Sequence, residues 1–139
     1  MSISEIENEI IDEFSMFDDW MEKYEHIIEL GKELPIIEEN QKTEENIIKG
    51  CQSRVWLHEE KEGGNISYSA DSDAIITKGI ISLLIRVLNN QDPKEIVNAK
   101  LSFIDEIGLK EHLSPTRSNG LVSMVKQMKV YALLMQQTA

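Results

Sequence analysis

The chain has one cysteine, Cys51, and that residue is the best placed to do covalent chemistry. It stands in Lys49-Gly50-Cys51-Gln52-Ser53-Arg54, between a polar stretch and a run of strand formers, which puts it on a loop. Three features suit a reactive thiol. Gly50 frees the backbone and lets a partner approach closely. Lys49 and Arg54 bring positive charge, which lowers a thiol's pKa and raises its thiolate fraction. A loop held by a rigid sheet can present its tip to another protein. An inert cysteine packed as a small apolar side chain is equally compatible with this spacing. Further along, Arg117 is either an ion-pair partner for Asp73 or a donor facing an anionic sulfur, and spacing leaves both open.

Other chemistries lack their residues. His26, His58 and His112 are scattered, and there is no second cysteine, whereas a zinc or iron–sulfur site needs about four ligands. No metal site is expected. No G-x-x-x-x-G-K, G-x-G-x-x-G or G-x-S-x-G pattern occurs. The net charge of −11 repels phosphate backbones and anionic lipid, so neither nucleic acid nor a membrane is an expected partner. The apolar run from Ile80 to Leu88 contains Ser82 and Arg86 and is too short to span a bilayer. Met1 to Glu9 lacks the basic start of a signal or transit peptide, so a cytoplasmic, reducing compartment is the expectation.

The elements that position Cys51 follow from periodicity. At 139 residues, 41% hydrophobic and 28% charged, residues 1–139 read as a single globular domain. Ser4 is the expected cap of a first helix carrying Ile6, Ile10 and Phe14. Asp18 and Asp19 open a second, with Trp20, Tyr24, Ile27 and Ile28 on its apolar face and Gly31 at its end. Arg54 to His58 and Asn65 to Ala70 read as strands of a hairpin joined by Glu59 to Gly64. Asp71-Ser72-Asp73 supplies caps for an apolar helix over 74–88. Asp92-Pro93 opens a short helix. Another covers Phe103 to Gly108, and Ser114 to Gly120 forms a turn before a last helix with Leu121, Val122, Val125, Met128, Ala132 and Met135. Helices, hairpin, helices give an α+β class: a small antiparallel sheet with helices on one face.

Gly50-Cys51-Gln52-Ser53-Arg54-Val55-Trp56 resembles the SufE family, sulfur acceptors for cysteine desulfurases. The likeness continues at Asp71-Ser72-Asp73-Ala74, Lys78-Gly79, Ile107-Gly108-Leu109 and His112 to Gly120, and so spans nearly the whole chain. It implies the SufE/IscU-like fold. It also implies that Cys51 accepts persulfide sulfur from a SufS-like or CsdA-like desulfurase, stimulates that enzyme and passes sulfur to a SufBCD-like iron–sulfur scaffold. Gly50, Gln52, Ser53, Asp73 and Arg117 are implied to support the cysteine loop. The chain itself needs no cofactor, since pyridoxal phosphate belongs to the desulfurase. It is then a carrier and activator, not a stand-alone enzyme. The alternative is a non-catalytic interaction adaptor with a structural cysteine. Nothing in the sequence specifies the oligomeric state.

Overall fold

A computed structural model describes residues 1–137. The first helix, α1 (Ile3–Phe14), starts earlier than Ser4 implies. Ser2 and Glu5 form a reciprocal capping box, which satisfies two orphan N–H groups and outcompetes a lone serine. Asp19 caps α2 (Trp20–Gly31), as its position suggests. Two single-turn 3-10 helices, Glu39–Gln41 and Glu44–Asn46, then lead to the hairpin of β1 (Val55–Glu62) and β2 (Asn65–Ser72).

The hairpin is longer than expected: Glu59 to Glu62 belong to β1, and only Gly63 and Gly64 turn the chain. Both glycines have positive φ, 58° and 88°, which a two-residue connection requires and which matches the strand twist. Antiparallel pairing runs from Val55 opposite Ser72 to Glu62 opposite Asn65. Val55 and Leu57 of β1, with Ile66, Tyr68 and Ala70 of β2, turn inward at period two. The free edges are covered. Ile37 donates to the Ala70 carbonyl (3.1 Å), Asn90 to that of Ile66 (2.7 Å), and Ile48 to that of Val55 (2.8 Å).

The inner face is packed against α3 (Ile75–Leu88), eleven of whose fourteen residues are buried. The expected caps are placed differently. Ser72 Oγ accepts the Ala74 N–H at 3.2 Å, while Asp73 is diverted to the cysteine loop. Then come α4 (Pro93–Asn98), capped by Asp92, α5 (Phe103–Glu106), α6 (Leu109–His112) and α7 (Pro115–Gln137). The segment Ser114 to Gly120 is not a turn but the start of α7. Ser114 Oγ accepts the Arg117 N–H (3.3 Å) and Pro115 occupies the first helical position, where its missing N–H costs nothing. Leu121, Met124, Met128 and Ala132 face the core, and Val122 does not. Tyr68, 1% exposed, donates its hydroxyl to the Met128 carbonyl at 2.9 Å and ties the sheet to α7.

One inward strand position is polar. Glu59 lies two residues beyond Leu57 and opposite Tyr68, so alternation turns it toward the core. Among the described residues its Oε2 is buried without a hydrogen-bond partner, and burial lifts its pKa from 4.5 to about 7 against the opposing charge of His58. A carboxyl whose folded pKa is raised costs nothing below its unfolded value. The cost grows as pH passes from 4.5 to about 7 and is then complete. Glu59→Gln is therefore expected to stabilise the protein by about 1–2 kcal/mol near pH 8, discounted for partial exposure, and to change little at acid pH. Urea titrations at both pH values check this, and a pH-independent difference would refute it.

Candidate functional site

The cysteine loop is stapled at its base. The Ile48 N–H···O=C Val55 bond closes it from one side. From the other, Asp73 Oδ1 accepts the Arg54 N–H (3.0 Å), the Asp73 N–H donates to the Arg54 carbonyl (3.3 Å), and Ser72 Oγ donates to the same carbonyl (2.8 Å). Asp73 thus supports the loop through backbone groups and not through an ion pair with Arg117.

Two glycines let the loop lie on α7. Gly50 has φ of 97°, and a Cβ there would stand 2.4 Å from Ser123 Oγ. Gly120 faces the thiol across the contact, and the Cys51 S–H donates to the Gly120 carbonyl at 3.6 Å. Cys51 is half-buried against the core. A cavity of about 60 Å³ opens beside it. Thr77 and Ile80 of α3 line one wall, Thr116, Arg117, Gly120 and Met124 of α7 another, and Gln52 and Ser53 the loop side.

Burial pushes the Cys51 thiol above its ordinary pKa of 9.0. The lowering expected from Lys49 and Arg54 is not realised in this position, because both cations are exposed and desolvation of the sulfur dominates. The thiol is sheltered here, and desolvation favours its protonated form over the attacking thiolate. Arg117 lines the same cavity from the first turn of α7. Its guanidinium donates to neither Asp73 nor sulfur but to the Tyr24 hydroxyl of α2, at 3.4 Å. Beyond it Trp20 stacks on His112 with ring centroids 4.6 Å apart.

Sequence reasoning missed Thr77, Ile80, Ser123 and Met124 around the cysteine loop, and Tyr24 as the partner of Arg117. A signal existed for three members of the wall: Arg117, Gly120 and Met124 fall on one helical face once α7 is extended back to Pro115. Among the described residues no group of three or more His, Cys, Asp or Glu could hold a metal ion. No helix among them is long and apolar enough to cross a membrane.

Comparison with known proteins gives concordant results. The family model SufE, described as an Fe-S metabolism associated domain, matches residues 8–132. An uncharacterized SufE-like protein of Rhizobium meliloti is 37% identical over 127 residues, 88% of this chain and 91% of that protein. One of Rhizobium etli is 40% identical, covering 88% and 86%. A third, from Synechocystis sp., is 36% identical over 91% and 80%. The solution structure of a hypothetical protein from Thermus thermophilus shares the fold with a TM-score of 0.79 at 18% identity, covering 95% of this chain and 96% of that one.

Proposed function

Because this chain belongs to the SufE family, we propose that Cys51 accepts sulfur from a cysteine desulfurase, carries it as a persulfide and delivers it for iron–sulfur cluster assembly. The observation that carries this reading is the cavity at the Cys51 sulfur. Its 60 Å³ is several times the ~10–15 Å³ of such space that one water requires, room for one additional sulfur atom. An inert core cysteine needs no space beside it.

Acceptance is a relative of thiol–disulfide exchange. The Cys51 thiolate attacks the terminal sulfur of the desulfurase persulfide. A new S–S bond forms, the enzyme's S–S bond breaks, and the enzyme cysteine leaves as a thiolate ready for another turnover. Removal of sulfur from the desulfurase in this way stimulates it. The sheltered position raises the thiol pKa, so attack takes place after the loop has swung off α7 and brought Cys51 into water between Lys49 and Arg54. Return to α7 withdraws the persulfide from reductants. Gln52 and Ser53 travel with the loop, and Asp73 holds its base. The pyridoxal phosphate that liberates sulfur belongs to a SufS-like or CsdA-like partner, and a SufBCD-like scaffold receives the sulfur.

Mixing the protein with a desulfurase and cysteine is expected to add about 32 Da to the intact mass, removable by thiol reductant. Cys51→Ser is expected never to gain it. Added sulfur on the serine variant would remove Cys51 from the role. The half-buried, protonated thiol also suits the adaptor reading, in which Cys51 is structural; a wild-type chain that stays unmodified and resists alkylation until it unfolds would favour that reading.

Gly120→Ala separates shelter from folding. The added Cβ would sit 3.5 Å from Cys51 Sγ, an ordinary contact, and alanine within a helix gains about 0.5–1 kcal/mol over glycine. The same methyl takes up space meant for the second sulfur. The variant is expected to be slightly more stable, while its persulfide is lost to a small thiol several-fold faster. An unchanged persulfide lifetime would show that the cavity does not house the sulfur.

A further inference from the structure

Across α7 from the cysteine lies a second concave surface. An open groove of about 500 Å³ runs between α7 and the segment from α4 to α5. Leu101 and Ile104 line one side and Leu121 and Val125 the other. Its outer lip on α7 is apolar and in water: Val122 is 53% exposed, Val130 38% and Leu133 46%. A solvated helix face is ordinarily polar, and scattered exposed apolar residues need no explanation, but Val122, Val125, Val130 and Leu133 all border this one groove, with Lys126 and Lys129 between them. From Val122 to Leu133 the lip extends about 16 Å, three helical turns.

The rim is predominantly basic, with four lysines to one aspartate, Asp105. Lys100, Lys110, Lys126 and Lys129 surround the groove, in a chain with 14 basic and 25 acidic residues. Lys129 donates to the Ala99 carbonyl and fixes the far wall to α7. Among the described residues, Lys100, Lys110 and Lys126 have no acidic partner. Asp105, which also lines the groove, forms no ion pair with them.

We propose that this groove docks an acidic amphipathic helix of a partner protein, its apolar face on the Val122–Leu133 lip and its carboxylates on the lysine rim. Helix-in-groove recognition seats the apolar i, i+3, i+4 and i+7 side chains of an amphipathic helix in an apolar groove, which Leu101, Ile104, Leu121 and Val125 provide here. Lysines bordering an apolar floor select carboxylates and raise the association rate. A second copy of the chain is disfavoured by the repulsion of two −11 charges. Gly120 and Met124, which meet the cysteine loop, lie on the other side of α7 from Val122 and Leu133. A helix held here leaves Cys51 free to move, so one partner can stay bound while another exchanges sulfur.

The probe is a fluorescein-labelled helical peptide of about 18 residues, with leucines at i, i+3, i+4 and i+7 and glutamates elsewhere. Anisotropy and amide NMR shifts on the full chain read its binding. Saturable binding is expected, with shifts confined to α4, α5 and α7. Lys100→Glu with Lys126→Glu should weaken it about tenfold or more, as should raising salt from ~0.05 to ~0.3 M, and Val122→Glu with Leu133→Glu should abolish it. Cys51 alkylation in the complex should stay within about twofold of the free protein, because the helix does not touch the loop. The proposal is overturned by absent binding, by equal binding of a lysine-for-glutamate peptide, or by shifts centred on residues 49–54. It is equally overturned if sedimentation finds a wild-type dimer that Val122→Glu dissociates, which would assign the groove to a second copy. None of these readouts depends on persulfide transfer, so the groove and the carrier role fail separately.

Discussion

Gly50→Ala is expected to expose Cys51 to alkylation about tenfold faster while the fold survives. Two independent costs fall on the sheltered loop. An L-residue at φ of 97° sits outside its allowed regions, worth about 1–2 kcal/mol. The new Cβ also meets Ser123 Oγ at 2.4 Å and Ser123 Cβ at 3.3 Å. A serine rotamer change relieves the first contact cheaply, so backbone strain at φ costs more than the clash. About 1.4 kcal/mol against the sheltered position multiplies the open population about tenfold. Global stability should fall by no more than about 2 kcal/mol, because the loop tip contributes little to the core. Ser123→Ala in the same background is expected to restore part of the protection and to leave the φ strain in place. Alkylation rates with a small maleimide, beside urea titrations, measure both quantities. Equal rates in wild type and Gly50→Ala would mean that the loop does not depend on glycine there.

Gly79→Ala is expected to destabilise the whole protein by about 3 kcal/mol or more. Helix propensity alone favours the change by about 1 kcal/mol, since Gly79 lies within α3. Packing opposes it. A Cβ at Gly79 would stand 2.1 Å from the Ile27 carbonyl oxygen and 2.7 Å from Ile27 Cγ2. The obstacle is backbone, which cannot rotate away, so α2 must move off α3. That movement breaks the Ser82 hydroxyl to Leu30 carbonyl bond (2.9 Å) and loosens Ile27, which is fully buried. Gly31→Ala, whose Cβ would meet the Gly79 nitrogen at 3.0 Å, is expected to cost less, about 1–2 kcal/mol. Denaturant midpoints rank the three proteins. A gain in stability for Gly79→Ala would show that propensity outweighs the crossing.

Much of the architecture was legible in the chain because its cues are local. Asp19 before an apolar 3.6-residue pattern, paired glycines between alternating strands, and Asp92-Pro93 each act within a few residues, and each element formed where they stand. The misplaced boundaries were also local, but two cues competed. Ser2 with Glu5 makes a reciprocal cap that Ser4 does not. Ser114-Pro115 reads as a turn or as a helix start according to whether the residues after it find a surface to pack on, and Gly120 and Leu121 do.

At the site, the sequence by itself determined the one candidate thiol, its place on a loop and the family to which the chain belongs, since a single cysteine in a G-C-x-S-x-V-W block leaves no other candidate. Only the tertiary structure decided what surrounds that group. Asp73 holds the loop's backbone and Arg117 reaches Tyr24, because residues far apart in the chain meet where α2, α3 and α7 converge. The sign of the cysteine's pKa shift was likewise decided by folding. Lys49 and Arg54 are neighbours in sequence and promise a lowered value. Burial against α7 raises it instead, because desolvation of the sulfur depends on everything packed around it and the pull of two solvated cations does not.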